Sequence, residues 1–155
     1  MRKALSAGIG VLVFVAACGT KPLPTSGGGG LGDVNGRDQI SALWDTSDTA
    51  IVSSGEVESG YQFSVSFKTV AGGCDSPDYV AVQGGGSSVT VTPFDLNSGG
   101  PGRMCPMSLT SAERNTQVVL TTVGLDTVKL RGIVGFGDSA RLVTVQKVIK
   151  VIPAP

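Results

Sequence analysis

The sequence predicts an all-β domain, an antiparallel β-sandwich of about seven strands occupying residues 38–155. Three observations predict it. From Ser41 onward apolar residues recur with a period of two, which is the spacing of a half-buried strand. The periodic runs are rich in Val and Thr, whose branched side chains suit a pleated sheet. Glycine-centred turn signals separate them at short intervals. With 155 residues and 41% hydrophobic content, the chain can bury one core of ordinary size.

Taken in order, the strand candidates are Thr49–Ser53, Tyr61–Lys68, Tyr79–Val82, Ser88–Phe94, Thr116–Val123, Thr127–Val134 and Leu142–Ile152. The second is the clearest: Tyr61, Phe63, Val65 and Phe67 share one face, and Gln62, Ser64, Ser66 and Lys68 the other. Turns fall at Ser59-Gly60, Gly72-Gly73, Gly84-Gly85-Gly86, Asn97 to Pro101, Gly124 and Gly137-Asp138. Two segments also suit helices of one or two turns. Ile40, Leu43 and Trp44 stand at i, i+3 and i+4, and Ser108 to Asn115 contains good helix formers.

This strand spacing is immunoglobulin-like, and the likeness stops at architecture. Antibody-type domains place a Trp between two bonded cysteines, whereas Trp44 precedes both Cys74 and Cys105. A small barrel is the main rival arrangement. Trp44 is expected to plug one end of the sandwich.

Ahead of the domain, Arg2 and Lys3 form a positive start, and Ala4 to Ala17 are an uncharged, mostly apolar run of 14 residues. That is shorter than the roughly 18 needed to span a bilayer core, so the run reads as a leader over 1–17. It closes on Val15-Ala16-Ala17-Cys18, which resembles the lipobox of bacterial lipoproteins. The resemblance implies a diacylglyceryl thioether on Cys18 and an acylated amine, hence a membrane anchor of two or three chains. By resemblance to enterobacterial sorting rules, Gly19 in place of Asp favours the outer membrane, with a Gram-positive surface lipoprotein as the alternative. The expected location is the bacterial cell envelope.

Residues 18–37 read as a flexible tether. Pro22, Pro24 and the run Gly27 to Gly30 offer little apolar area against a large ordering entropy. The glycine run is no phosphate cradle, because no Gly-Lys-Ser/Thr follows it.

With Cys18 lipidated, Cys74 and Cys105 remain, and beyond the inner membrane two such thiols are expected to pair. The bridge would close a loop of about 30 residues. Two cysteines without histidine cannot complete a zinc site, and the C-x-x-C spacing of a redox pair is absent.

The span from Phe63 to Val151 is also similar to a recurrent, uncharacterised bacterial lipoprotein domain. The residues that carry the similarity are Phe63 to Thr69, Gly72-Gly73-Cys74, Val89 to Asp95, Cys105 and the closing Arg141–Val151 strand. It implies the sandwich and the disulfide, and no activity.

The chain has no histidine, which removes Ser-His-Asp and Cys-His pairs and His-ligated zinc. Without Arg2 and Lys3 the chain carries 10 Lys+Arg against 12 Asp+Glu, so no basic patch suits nucleic acid. Glu56 and Glu58 read as a solvated turn or strand end. Asp45, Asp48, Asp75 and Asp78 read as turn residues, and no metal or cofactor is expected. Lys147 and Lys150 lie on opposite faces of the last strand. The leading reading is a membrane-anchored, non-catalytic structural or binding module, engaging an envelope partner through loops at one end, notably Asp95–Met107. One alternative is a carboxylate- or metal-dependent hydrolase, which needs Asp45, Asp48, Asp75, Asp78 or Asp95 to converge. The other is a strand-accepting assembly module.

Overall fold

The computed structural model describes residues 38–47, 49–99, 102 and 104–155. The leader, Cys18, the tether and Asp48 lie outside the described residues. The chain runs β1 (Asp38–Ile40), β2 (Ala42–Leu43), β3 (Glu56–Glu58), β4 (Gln62–Ala71), β5 (Asp75–Gly85), β6 (Ser88–Asn97), β7 (Thr110–Val119), β8 (Gly124–Val134) and β9 (Arg141–Ile152). The domain is all-β, as its alternation predicts, and a 3-10 turn at Gly137–Ser139 joins β8 to β9.

All nine strands belong to one curled sheet. It is mixed rather than purely antiparallel. β4–β7, β5–β6 and β8–β9 are long antiparallel pairs. β6 runs parallel to β8 from Ser88↔Thr127 to Val91↔Leu130, β3 runs parallel to β9, and β2 makes a parallel bridge to β8 at Ala42↔Ile133. Strand lengths and alternation announce local pairs; which distant strands become neighbours is a long-range choice that they do not encode.

The first two strands occupy the place where β6 and β8 diverge. Beyond Val91 the β6 edge is taken by β1, through Asp38↔Leu96 and Ile40↔Phe94. β2 then bridges β8 to β4. Ser41, between them, donates its N–H to Pro93 O of β6 and accepts Ile133 N–H of β8 on its own carbonyl, both at 3.0 Å. Residues 40–44 are therefore extended, not helical: two short strands with a break between them reproduce the i, i+3, i+4 spacing. Likewise 110–115 is the first half of β7 and not a helix.

Gly132 makes room for this crossing. A Cβ there would lie 2.4 Å from Leu43 Cγ, so the bare backbone of β8 is what lets Leu43 enter the core. Alternation then turns the next residue outward. Trp44 is 59% exposed and plugs neither end, contrary to expectation. Thr49–Ser53 is not a full strand either; it contributes buried Ala50 and Ile51 and one bridge, Val52↔Ser66.

The core combines Phe63, Val65 and Phe67 of β4 with Val89 and Val91 of β6, Val128 and Leu130 of β8, and Val145, Ile149 and Val151 of β9. The two ends of the domain are distinct. β4, β6 and β8 finish at the end where β1 and β5 begin, which the Cys74–Cys105 disulfide joins to the segment before β7. β9 finishes at the opposite end, where Val151 pairs with Gly124.

Candidate functional site

The disulfide-bearing end holds Cys74, Cys105, Asp75 and Asp95 among the residues that sequence reading singled out. Cys74 and Cys105 are bonded across a separation of 31 residues, with Cα atoms 5.2 Å apart. Their loops are in close contact. A Cβ on Gly73 would lie 1.9 Å from the carbonyl oxygen of Pro106, so only glycine fits there. Ser98 closes the same corner, its N–H donating to Cys74 O at 3.0 Å.

Beside this corner, the divergence of β6 and β8 leaves a cleft of about 290 Å3. Gln39 and Ala42, Val70 and Gly72, Asp75 and Phe136 are among the residues that line it. Asp75 is its charged member. Oδ1 accepts Gln39 Nε2 at 2.7 Å and Asn97 Nδ2 at 2.8 Å, and Oδ2 accepts the Gly72 N–H at 3.3 Å. The residues 75–78, which read as a turn, instead open β5, with a register shift between Pro77 and Val80.

Behind the cleft lies a buried polar cluster. Arg114, on the inner face of β7, reaches across the core and pairs with Asp95 of β6. Its Nη2 also donates to Phe94 O at 3.2 Å and Ser41 Oγ at 3.3 Å, and its Nε donates to Thr69 Oγ1 at 3.2 Å. Burial raises the Asp95 carboxyl above the ordinary range, although Ser41 and Arg114 pull it down, and Asp75 and Asp78 add to the rise. Burial likewise lowers Arg114, against the pull of Asp95. Desolvation thus outweighs attraction on both partners. Nearby, the Tyr79 ring stacks on Phe94 with centroids 4.8 Å apart, and burial followed by Asp38 raises its hydroxyl.

The structure therefore brings together three of the five carboxylates named from sequence, Asp75, Asp78 and Asp95. Asp45 sits apart in a turn of its own, where Ser47 donates both Oγ and N–H to it and lowers its pKa. Arg114 escaped sequence reading. The alternation Ala112, Arg114, Thr116, Val118 carried the signal, obscured because the strand was read to start at Thr116. Among the described residues no group of three or more His, Cys, Asp or Glu is placed to hold a metal ion, and no helix is long and apolar enough to cross a membrane.

Toward the opposite end, the two lysines of β9 behave differently. Lys147 turns inward and donates to the carbonyls of Ile51 and Ser53 at 3.1 and 3.3 Å. Lys150 is exposed and pairs with Glu56 at 2.5 Å. Asp126, on the inner face of β8, is buried, and its Oδ2 has no hydrogen-bond partner among the described residues.

No protein-family model, curated protein or solved structure matches this chain.

Proposed function

We propose that this chain is a lipid-anchored protein of the bacterial envelope, whose β-domain is a non-catalytic binding module presenting its disulfide-clipped end. Three parts are distinguished: a leader over 1–17, a lipidated tether over 18–37 and the domain over 38–155. The anchor rests on the Val15-Ala16-Ala17-Cys18 tetrad closing an uncharged run. The non-catalytic reading is carried by one observation: the inward carboxylates beside the cleft are already engaged by fixed donors. Asp95 is held by Arg114, and Asp75 by two side-chain amides and a backbone N–H. General acid–base work needs a carboxyl free to exchange its proton with a substrate in the cleft. The exposed loops of this end supply contact area instead, on a frame fixed by the disulfide.

Metabolic labelling with a palmitate analogue tests the anchor. The full chain is expected to take label in a bacterial host, and Cys18→Ala to take none. Label on the Cys18→Ala chain, or a mature N-terminus other than residue 18, would overturn it. Removal of Ser98–Arg103 tests the binding end. Unchanged crosslinks to envelope components after that deletion would exclude it as the contact surface.

A further inference from the structure

We propose that what the disulfide-clipped end engages is the lipid surface itself, through a strap of Met104, Met107 and Leu109 with Phe136 beside the cleft. The inference rests on the anchor reading above and adds its partner. Met104 and Met107 are 95% and 104% exposed, so neither side chain is covered by its own domain. Leu109 and Phe136 are exposed too. The strap is not loose. Cys105 within it is bonded to Cys74, Pro106 lies against Gly73, and Thr110, directly after Leu109, pairs with Ala71. Phe136 belongs to the same end, because the cleft that it lines also contains Gly72 and Asp75.

The place of β1 in the sheet selects the occupant. Asp38, which opens β1, pairs with Leu96 near the close of β6, so β1 begins at this end. Nineteen residues separate Cys18 from Asp38. Even fully extended they span at most about 70 Å. An anchor on Cys18 would therefore keep this end within that reach of the bilayer, and tethering turns contact into an intramolecular event with an effective concentration of roughly millimolar order. Under that condition a few apolar side chains suffice for a populated contact. Methionine, unbranched and polarizable, adapts to an irregular acyl-chain boundary. Among the described residues, Asp78, Asp138 and Arg141 are exposed at the same end. These charges give no net attraction to anionic headgroups, and the contact we infer is apolar.

The test is hydroxyl-radical footprinting of the full lipidated chain reconstituted in phosphatidylcholine vesicles. Leu109 and Phe136 are read by mass spectrometry, with Trp44 and Tyr61 as exposed controls elsewhere. The comparison chain is Met104→Glu/Met107→Glu, with the disulfide and control labelling confirming its fold. Labelling of Leu109 and Phe136 is expected to be at least threefold lower in the unsubstituted chain, and the difference to shrink when anionic phosphatidylglycerol is added at low salt. Equal labelling of the two chains on vesicles overturns the docking and leaves the anchor standing. Protection seen in whole envelopes and absent from protein-free vesicles assigns this end to a protein and also overturns it. Protection that grows with anionic lipid contradicts an apolar contact. A chain with no lipid on Cys18 overturns the anchor reading, and the docking falls with it.

Discussion

Arg114 of β7 and Asp95 of β6 meet inside the domain from strands that share no backbone pairing. The guanidinium is shared among Asp95, Ser41, Thr69 and the Phe94 carbonyl, so one side chain ties β7 to β4, to β6 and to the break between β1 and β2. A buried pair of this kind contributes little net stability when intact and a large penalty when halved.

Replacing Arg114 alone by Met strands the Asp95 carboxylate, and the expected loss is about 3–5 kcal/mol in urea denaturation. The double replacement Arg114→Met/Asp95→Leu removes both charges and should recover most of that loss. A single Arg114→Met variant within about 0.5 kcal/mol of the parent would show that the pair does not close the cluster.

The pH dependence of the same pair has an unusual sign. Because burial raises Asp95 in the folded state, the folded chain binds more protons than the unfolded chain in the window just above 3.8. Stability from this group is therefore fully present below that window and lost as pH rises through it. Relative to Asp95→Asn, the parent should lose stability as pH rises through that range and change little elsewhere. A difference that instead grows with pH would mean that Arg114 dominates burial.

Gly132 and Leu43 should be energetically coupled. Gly132→Ala forces its Cβ onto Leu43 in a packed crossing, which costs about 1–3 kcal/mol. In a Leu43→Ala background the three atoms that this Cβ meets are gone, and the same change should cost far less. Additive costs in that double-mutant cycle would place the strain elsewhere.

Lys147 and Lys150 offer a comparison within one strand. Lys147→Met leaves two carbonyls of the 51–53 segment without their donor and should cost about 1–3 kcal/mol. Lys150→Met breaks only an exposed pair with Glu56 and should stay within about 1 kcal/mol of the parent. Equal effects would mean that the inward turn of Lys147 is not maintained in solution.

Much of the fold was legible wherever one face is buried and the other wet. Phe63, Val65 and Phe67 on β4 are the plainest case, and β9 follows the same rule. β6 was harder, since Val91 to Asp95 are buried on both faces and alternation vanishes. The start of β7 was hidden by its polar outer face, and by an inward arginine where the pattern expects an apolar residue. The disulfide followed from thiol arithmetic. Of the carboxylates, spacing singled out Asp75, and Asp95 was named only as a member of the hydrolase alternative; their quenching by Gln39, Asn97 and Arg114 is a matter of distant strands. Nothing local in Asp95 announces its partner 19 residues later.

β1 opens at Asp38 and β9 closes at Ile152 at the opposite end, which decides how the sheet would carry mechanical load. If the N-terminus is anchored as proposed, a pull on it against anything grasped beyond Ile152 runs through the pairing β1–β6–β8–β9. β1 holds to β6 by three register pairs, while β9 holds to β8 by eleven. Tension would therefore strip β1 first and pull Ser41 away from Arg114, while the β8–β9 ribbon stayed whole. The described sheet has a built-in weak link, and it lies at its N-terminal strand.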